Sequence, residues 1–425
     1  MRKMLYALLL LLINACQTPG PSEEVSLRVY HEIDSLLQVN DYFIARDKYQ
    51  IARDSLEEFH RLKLGAVIDN VFNRLSASNR KIDSVFKFYD AKLSDKDKYK
   101  LLRTRQMNHS KLFEYKEADE AMDEMLTGYK SQIKEGDVED YENTKKIWAA
   151  LSGQPPQQVI INDHTVLKLK RDRLGLQNLE LRLDSLVMDF IFDTGANFST
   201  VTESTAQKLK IRIMDTTVID VGSITGNKVK SKIGVCPEFS MGDILVKNAV
   251  FLVMPDQALA IPQIPFQING IIGFPVIEAM KEVQLTRSGE FIVPSQRSAD
   301  REQNMALSFL TPVIRLDEGN FTFDSGANST MLYNNYFKKH KDSIVTNFPE
   351  TDIRFGGAGG HATIRGYRVP FSTTISNRVI QLDSVELLKE SLKEENHFTG
   401  NFGQDLIGQF EKMTLNFESM FIWFE

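Results

Sequence analysis

Cysteine is scarce in this chain of 425 residues, which contains only Cys16 and Cys236. Two cysteines cannot build a disulfide framework or a cysteine-rich zinc site. Positive charge is not in excess either, because 51 Lys and Arg residues stand against 57 Asp and Glu residues, for a formal net charge of −6. A mildly acidic chain without a basic tract argues against nucleic-acid binding. We expect Cys236 to be a small buried apolar residue.

The signatures of common cofactor and metal sites are missing too. The seven histidines are scattered singly and never show the paired helical spacing of a metalloprotease. No Gly-Lys-Ser or Gly-Lys-Thr loop is present to cradle a phosphate. The glycines of residues 356–360 are not followed by a helical pattern, so they indicate a turn rather than a dinucleotide-binding loop. The sequence therefore predicts neither a metal nor a cofactor.

The first residues carry the features of a processing signal. Arg2 and Lys3 precede an apolar segment, residues 5–13, which is too short to span a bilayer comfortably. The segment leads into Ile-Asn-Ala-Cys, ending at Cys16, and this resembles a bacterial lipoprotein signal. The resemblance implies lipid attachment at Cys16 and a membrane-anchored protein of the bacterial cell envelope. An ordinary secretory signal cleaved after Ala15 is the alternative.

The remaining chain changes character once. Apolar residues recur at helical spacing from residue 25 to 151, and β-rich runs with turn residues extend from residue 159 to the end. Residues 112–126 resemble the second half of a tetratricopeptide repeat, with a generic helical bundle as the alternative. The predicted division is a signal (1–15), a tether (16–24), an α-helical domain (25–151), a linker (152–158) and two β lobes (159–297 and 298–425).

The β-rich part contains an internal duplication. Phe-Ile-Phe-Asp-Thr-Gly-Ala-Asn at residues 190–197 recurs as Phe-Thr-Phe-Asp-Ser-Gly-Ala-Asn at residues 321–328, which is 131 residues later. The segment Gly-Ile-Ile-Gly at residues 270–273 matches Gly-Asn-Phe-Gly at residues 400–403, which is 130 residues later. Two landmarks at nearly the same offset predict two homologous lobes.

This pattern resembles the retropepsin-like and pepsin-like aspartic proteases, as a single-chain tandem of two retropepsin-like lobes. The resemblance implies an all-β bilobal aspartic-protease fold, preceded here by the helical domain. It implies an aspartic endopeptidase whose Asp193 and Asp324 meet between the lobes, share one proton and activate water to cut a peptide or protein substrate. The residues expected to support this dyad are Thr194, Gly195, Ser325 and Gly326.

The resemblance also implies hairpin flaps over the substrate, one in each lobe. The candidate flap residues are Gly222, Ser223, Ile224, Gly357, Ala358 and Gly359. One clear difference separates the two copies, because Phe274-Pro275 follows the first glycine landmark and Gln404-Asp405 follows the second. We expect this difference to leave the catalytic loops untouched.

Two other functions compete with proteolysis. The protein is alternatively a non-catalytic lipoprotein that binds peptide in its β lobes and uses the helical domain as a scaffold for a protein partner. The retained Asp-Thr/Ser-Gly-Ala in both lobes argues against this alternative, because a binding protein needs neither aspartate. A third hypothesis makes the helical domain a pro-region that occludes the cleft.

Overall fold

A computed structural model describes residues 22–222, 228–261, 266–357, 360–390 and 397–425. The predicted signal and Cys16 lie outside the described residues. In the described ranges, no helix is long and apolar enough to cross a membrane. Cys236 is fully buried, as expected.

The chain first forms a helical region. Its helices are α1 (Glu23–Gln38), α2 (Tyr42–Ala52), α3 (Glu58–Val71), α4 (Leu75–Tyr89), α5 (Asp95–Lys111), α6 (Tyr115–Gly128) and α7 (Val138–Leu151). Helix α1 begins inside the segment predicted as a tether, because the Ser22 hydroxyl accepts a hydrogen bond from the Val25 N–H and caps the helix. Helices that follow each other along the chain pack together, as α3 does with α4 and α5 with α6. The tetratricopeptide resemblance stays a prediction.

Strands dominate after residue 157, with four further α-helices in the described residues. In the first half they are β1 (Gln158–Ile161), β2 (Thr165–Lys168), β3 (Lys170–Arg171), β4 (Gln177–Leu183), β5 (Leu186–Phe192), β6 (Ser199–Thr202), α8 (Glu203–Lys208), β7 (Arg212–Gly222), β8 (Lys228–Met241), β9 (Ile244–Met254), β10 (Ala260–Ile261), β11 (Phe266–Gln267), β12 (Gly270–Ile272), α9 (Phe274–Ala279), β13 (Glu282–Thr286) and β14 (Glu290–Val293). In the second half they are β15 (Met305–Ser308), β16 (Thr311–Leu316), β17 (Gly319–Phe323), β18 (Met331–Leu332), α10 (Asn334–Asn347), β19 (Thr351–Gly357), β20 (Gly360–Ile375), β21 (Arg378–Leu388), β22 (Gly400–Phe402), α11 (Gln404–Ile407), β23 (Lys412–Asn416) and β24 (Phe421–Phe424).

Each half contains one large sheet. In the described residues the first sheet has the order β1-β9-β6-β12-β5-β4-β8-β7, with β3 paired to β4 and β8 also paired to β9. The second has the order β15-β16-β17-β22-β18-β21-β20-β19. In both sheets the strand that ends before the aspartate pairs in parallel with the strand that carries the glycine landmark, β5 with β12 and β17 with β22. The two halves therefore present their aspartate loops from the same local arrangement.

A third sheet joins the two halves. Its order is β2-β14-β13-β23-β24, and β13 of the first half pairs antiparallel with β23 of the second half, Val283 opposite Leu415. The main apolar core runs through both halves and includes Phe192, Phe291 and Phe323, none of which is exposed. Burial of this shared core is what holds the two aspartate loops in a fixed relation.

The helical region packs against both halves. Ile33 and Phe43 of the helices share an apolar cluster with Val313 of the second half. Trp148 of α7 belongs to another cluster with Ile219 and further residues of the first half. The predicted fold class, a helical region followed by an all-β two-lobed fold, is confirmed.

Candidate active site

The two aspartate loops begin where buried strands end. Strand β5 ends at Phe192 and β17 ends at Phe323, so Asp193 and Asp324 are the first residues beyond rigid, buried segments. The Asp193 N–H donates a hydrogen bond to the Ile272 carbonyl at 3.1 Å, as the Asp324 N–H does to the Phe402 carbonyl at 3.0 Å. The strands of the two glycine landmarks therefore anchor the backbone of both aspartates.

Four hydrogen bonds lock the loops to each other. The Thr194 N–H donates to Ser325 Oγ and the Ser325 N–H donates to Thr194 Oγ1, both at 3.0 Å. Each hydroxyl then donates to the opposite strand end, Thr194 Oγ1 to the Phe323 carbonyl at 3.3 Å and Ser325 Oγ to the Phe192 carbonyl at 3.1 Å. Thr194 and Ser325 are both fully buried. Both hydroxyl groups donate and accept, so the loops are joined without an unpaired polar atom in this contact.

Each aspartate carboxyl lies directly against the glycine of the other loop. A Cβ built on Gly195 would stand 2.6 Å from Asp324 Cγ, and one built on Gly326 would stand 2.5 Å from Asp193 Oδ2. Real Cβ atoms do not approach other heavy atoms that closely, so only glycine fits at these two positions. The structure thus brings together Asp193, Asp324 and all four residues predicted to support them.

Backbone N–H groups hold the carboxyl groups. Gly195 and Ala196 donate to Asp193 Oδ1 at 2.8 and 3.1 Å, and Gly326 donates to Asp324 Oδ1 at 2.7 Å. Such bonds orient a carboxylate and favour its ionised form.

Burial and mutual repulsion raise the pKa of the pair. Desolvation is the largest cause, and the negative charge of Asp324 together with a hydrogen bond to it raises the pKa of Asp193 well above its usual range. Burial also raises the pKa of Asp324, although bonds to Asp193 and to backbone N–H groups act in the opposite direction. Two carboxyl groups joined by a hydrogen bond share one proton, so one is an acid while the other is a base. Both residues remain partly exposed, which leaves them open to substrate.

A groove lies along the strand that leads to Asp193. Its volume is about 360 Å³, and its lining includes Asp189, Ile191, Arg173 and Phe266. Neither Asp193 nor Asp324 is among the residues that line this groove.

Two of the candidate flap residues end strands of antiparallel pairs. Gly222 ends β7 opposite Lys228, and Gly357 ends β19 opposite Gly360. An added Cβ on Gly222 would meet nothing within 4 Å. The other candidates, Ser223, Ile224, Ala358 and Gly359, lie outside the described residues.

The expectation that the difference after the glycine landmarks leaves the catalytic loops untouched is wrong. Gln404 Nε2 donates a hydrogen bond at 2.9 Å to the carbonyl of Ser325, inside the second loop. Arg171 of the first half donates to Gln404 Oε1 at 2.9 Å. The sequence pattern did not reveal this contact, because the partners of Gln404 are 79 and 233 residues away along the chain.

Two buried hydroxyl groups also belong to the site and were missed. Ser199 Oγ accepts from the Gly273 N–H at 3.1 Å, and Thr330 Oγ1 accepts from the Gly403 N–H at 3.4 Å. Each tethers a glycine landmark to the segment behind an aspartate loop. Ser199 and Thr330 are 131 residues apart, the same offset as the aspartates, and that repeated offset was a signal available in the sequence.

Across the ranges that the structure describes, no group of three or more His, Cys, Asp and Glu side chains is arranged to hold a metal ion.

Comparison with known proteins supports an aspartyl protease-like domain in the first half. Residues 179–276 match the model of a family described as aspartyl protease, so this part of the chain is an aspartyl protease-like domain. The chain is similar to the basic 7S globulin of soybean, with 10% identity, a TM-score of 0.40 and coverage of 62% of this chain and 95% of that one. It is also similar to conglutin gamma, a basic 7S globulin from lupine seeds, with 10% identity, a TM-score of 0.39 and coverage of 61% and 94%. No curated protein matches the chain.

Proposed function

We propose that the protein is an aspartic endopeptidase that hydrolyses peptide bonds between Asp193 and Asp324. The observation that carries the proposal is the reciprocal packing of each carboxyl against the glycine of the other loop. This arrangement requires both aspartates and both glycines, and a scaffold that only binds peptide has no need for either carboxyl. The match of residues 179–276 to the aspartyl protease family favours the same activity.

The proposed mechanism uses water and one shared proton. The ionised carboxylate removes a proton from a water molecule, which attacks the peptide carbonyl to form a tetrahedral intermediate. The protonated carboxyl stabilises the developing oxyanion by donating its proton, and the pair then returns a proton to the leaving amine. The hydrogen bonds of Thr194 and Ser325 keep both loops in register during these transfers.

The experiment measures cleavage of a peptide library between pH 3 and 8 by the wild-type protein and three variants. Asp193→Asn and Asp324→Asn are each expected to abolish cleavage. Asp184→Asn is the matched control, because Asp184 lies in the same half of the protein but is exposed and pairs with Lys210 at the surface. Mixing the two inactive variants should not restore activity, since the dyad is formed within one chain.

The outcomes separate the two functions. Cleavage that survives in both asparagine variants contradicts the proposed dyad. Complete absence of cleavage in the wild-type protein, with peptide binding retained, favours the non-catalytic peptide-binding scaffold.

We also propose that the two halves are homologous lobes of a tandem. Support comes from the matching strand pairings, β5 with β12 and β17 with β22, and from hydroxyl groups at the same offset behind each loop. Separately expressed halves that associate and recover cleavage would support this proposal. Failure of any mixture to cleave, when both separate halves are shown to be folded, would contradict it.

The cell-envelope location is a further proposal and rests on the sequence around Cys16. Lipid attachment to its thiol would hold the enzyme at a membrane. The test is fractionation of cells that express the wild-type protein or Cys16→Ser, together with mass spectrometry of the amino-terminal peptide. Loss of membrane association in the variant supports the proposal, and an unmodified Cys16 contradicts it.

The helical region is proposed as a binding site for a protein partner. Its surface exposes Ile51 and Phe88, with 87% and 66% of their areas accessible. Crosslinking of the full chain in envelope extracts tests this role, with an Ile51→Ser and Phe88→Ser double variant as the comparison. A crosslinked partner retained by the double variant would place the binding site elsewhere.

A further inference from the structure

A polar chain connects the first half of the protein to the second aspartate loop. Arg171 donates from its guanidinium to Gln404 Oε1 and, at 2.7 Å, to the Gly175 carbonyl. Gln404 in turn donates from Nε2 to the Ser325 carbonyl. The orientation of the Gln404 amide follows from its neighbours, because a guanidinium only donates and a carbonyl only accepts. Gln404 is 5% exposed and its bond to the Ser325 carbonyl is buried, whereas Arg171 contacts it from an exposed position.

The Ser325 carbonyl belongs to the peptide group that holds Asp324. The N–H of this same peptide is that of Gly326, which donates to Asp324 Oδ1 at 2.7 Å. A hydrogen bond to the carbonyl of an amide polarises the amide and makes its N–H a stronger donor. The Gln404 side chain therefore strengthens, through one peptide group, the hydrogen bond to the Asp324 carboxylate.

The first loop lacks this arrangement. The corresponding peptide joins Thr194 to Gly195, whose N–H donates to Asp193 Oδ1 at 2.8 Å. The residue in the position of Gln404 is Phe274, which is fully buried and has no side-chain donor. The two aspartates are thus held by similar N–H groups, but only one of those groups is polarised from behind by a side chain of the landmark segment.

We infer that Gln404 is a positioning residue of the proposed reaction, which makes Asp324 the aspartate that carries the negative charge and Asp193 the aspartate that holds the shared proton. The inference rests on the proposed function for its catalytic meaning, although the placement of the proton is measurable without turnover. In this assignment Asp324 is the base that activates water and Asp193 is the acid.

Backbone N–H groups act on both carboxyl groups. Burial raises the pKa of both aspartates. The N–H groups of Gly326, Ala327 and Gly195 act to lower the pKa of Asp324, and those of Gly195 and Ala196 act to lower the pKa of Asp193.

Three charged groups flank the polar chain. They are Arg171 itself, Asp172 in the adjoining turn and Asp405 beside Gln404. The Asp172 carboxylate accepts from the N–H groups of Leu174 and Leu176, at 2.8 and 3.0 Å. Asp405 Oδ1 accepts from the N–H and hydroxyl of Thr330, both at 2.8 Å. Both acidic groups are therefore occupied by local donors, and Arg171 is the charged group that acts on Gln404.

The first test is the pH profile of cleavage by Gln404→Met and Gln404→Glu. Both variants preserve most of the side-chain volume, but neither the thioether nor an ionised carboxylate can donate to the Ser325 carbonyl. We expect the acidic limb of the profile to move upward by about half a pH unit, because the Asp324 carboxylate loses stabilisation. We also expect kcat to fall roughly tenfold while KM stays within about twofold of wild type.

Gln157→Met is the matched control. Gln157 is also 5% exposed and also donates from Nε2 to a backbone carbonyl, that of Pro275, at 3.1 Å. Substitution of Gln157 also removes a buried amide, but its hydrogen bond does not go to an aspartate loop. The acidic limb of the pH profile should therefore not move. An equal shift in the Gln157 and Gln404 variants would overturn the inference, because the effect would then be one of general destabilisation.

The second test measures the proton directly in the full chain. Carbon-13 labelling of aspartate carboxyl groups, with Asp193→Asn and Asp324→Asn spectra for assignment, gives a titration curve for each carboxyl by NMR. Asp324 should ionise at the lower pH and Asp193 at the higher pH, and Gln404→Met should bring the two curves closer. Ionisation of Asp193 first, or unchanged curves in Gln404→Met, overturns the inference. Because this test needs no turnover, an absence of cleavage counts against the proposed function alone.

Discussion

At the first aspartate loop, the residue after the glycine landmark is Phe274, whose ring packs edge-to-face against Phe417 at a centroid distance of 5.4 Å. At the second loop, the corresponding residue is Gln404, which bonds to Ser325 and Arg171. The contacts between the loops are nevertheless reciprocal in kind. Two carboxyl groups can therefore meet with matched geometry while the residues behind their loops differ. In the inference above, this difference decides which of the two aspartates is ionised.

The largest expected effect comes from the glycines that face the carboxyl groups. Gly195→Ala and Gly326→Ala should each lower kcat/KM by about 10³-fold or more, because the new methyl group displaces the opposite carboxyl from its partner. Equal losses in the two variants would confirm that the contact is reciprocal. Gly153→Ala is the control, since an added Cβ there meets nothing within 4 Å. Activity above a tenth of wild type in either variant would contradict the observed geometry.

The buried lysine Lys111 lies close to Phe274, which packs behind the first loop. Replacing this lysine with an apolar residue should stabilise the fold. A cavity of about 30 Å³ beside Phe274 is lined by Lys111, which is 7% exposed and whose ammonium lies 3.4 Å from the Asn70 carbonyl. Burial lowers the pKa of Lys111 to about 7, although the nearby Glu278 opposes the change. The folded chain therefore binds this proton less tightly than the unfolded chain.

The sign of the pH dependence follows from linkage. Below pH 7 the lysine is protonated in both states and the burial penalty is fully present, whereas stability rises with pH between 7 and the usual lysine value of 10.5. We expect Lys111→Met to raise the free energy of unfolding by roughly 2–4 kcal/mol at pH 6.5, with less gain near pH 10. Urea unfolding at both pH values measures this, with the exposed Lys146→Met as control. A gain that does not depend on pH would refute the explanation.

The hydroxyl groups of Thr194 and Ser325 should contribute about equally to the free energy of unfolding. Thr194→Val and Ser325→Ala each leave a buried N–H without its acceptor, so each should lower the free energy of unfolding by about 1–3 kcal/mol. Thr127→Val removes a hydroxyl that bonds only to its own exposed helix and should cost little. Denaturant titration of the two single variants and the double variant gives the coupling between them. Strictly additive losses would show that the two hydroxyl groups act independently, contrary to the network described above.

The smallest expected effect is that of Ser199, whose hydroxyl lies behind the first loop, on the free energy of unfolding. Ser199→Ala removes the acceptor of the Gly273 N–H and should lower the free energy of unfolding by about 1 kcal/mol. The exposed Ser35→Ala, whose hydroxyl bonds to the His31 carbonyl of its own helix, is the control. If the two serine variants are equally stable, Ser199 does not tether the landmark.

Sequence reasoning predicted the parts of the site that are encoded locally. The repeated Asp-Thr/Ser-Gly-Ala directly follows apolar runs of the β-rich part, and both aspartates lie where buried strands end. Gly195 and Gly326 were among the residues expected to support the dyad, and each lies against the opposite carboxyl. The resemblance implied a flap in each lobe, and the described strands beside the candidate residues pair antiparallel. The flap role itself stays a prediction.

The supports of the site were harder to predict because they depend on distant pairing. Gln404 differs from Phe274 in the sequence, but a glutamine has no fixed role until the neighbours of its amide are known. Arg171 lies 233 residues away from Gln404, and nothing in the residues around either one specifies that they meet. The docking of the helical region on both halves is of the same kind, since its apolar faces are visible in the sequence but their partners are not.

The order of residues along the chain determined the helical and β-rich parts, the duplicated aspartate loops and the small residues that let the loops approach. These features arise from side-chain size, backbone preference and short-range periodicity, which are properties of neighbouring residues. The meeting of Asp193 with Asp324, the raised pKa values that follow, and the link from Arg171 through Gln404 were decided by the tertiary structure. They depend on desolvation and on hydrogen bonds between residues 79 to 233 positions apart, and those exist only when the shared core has closed.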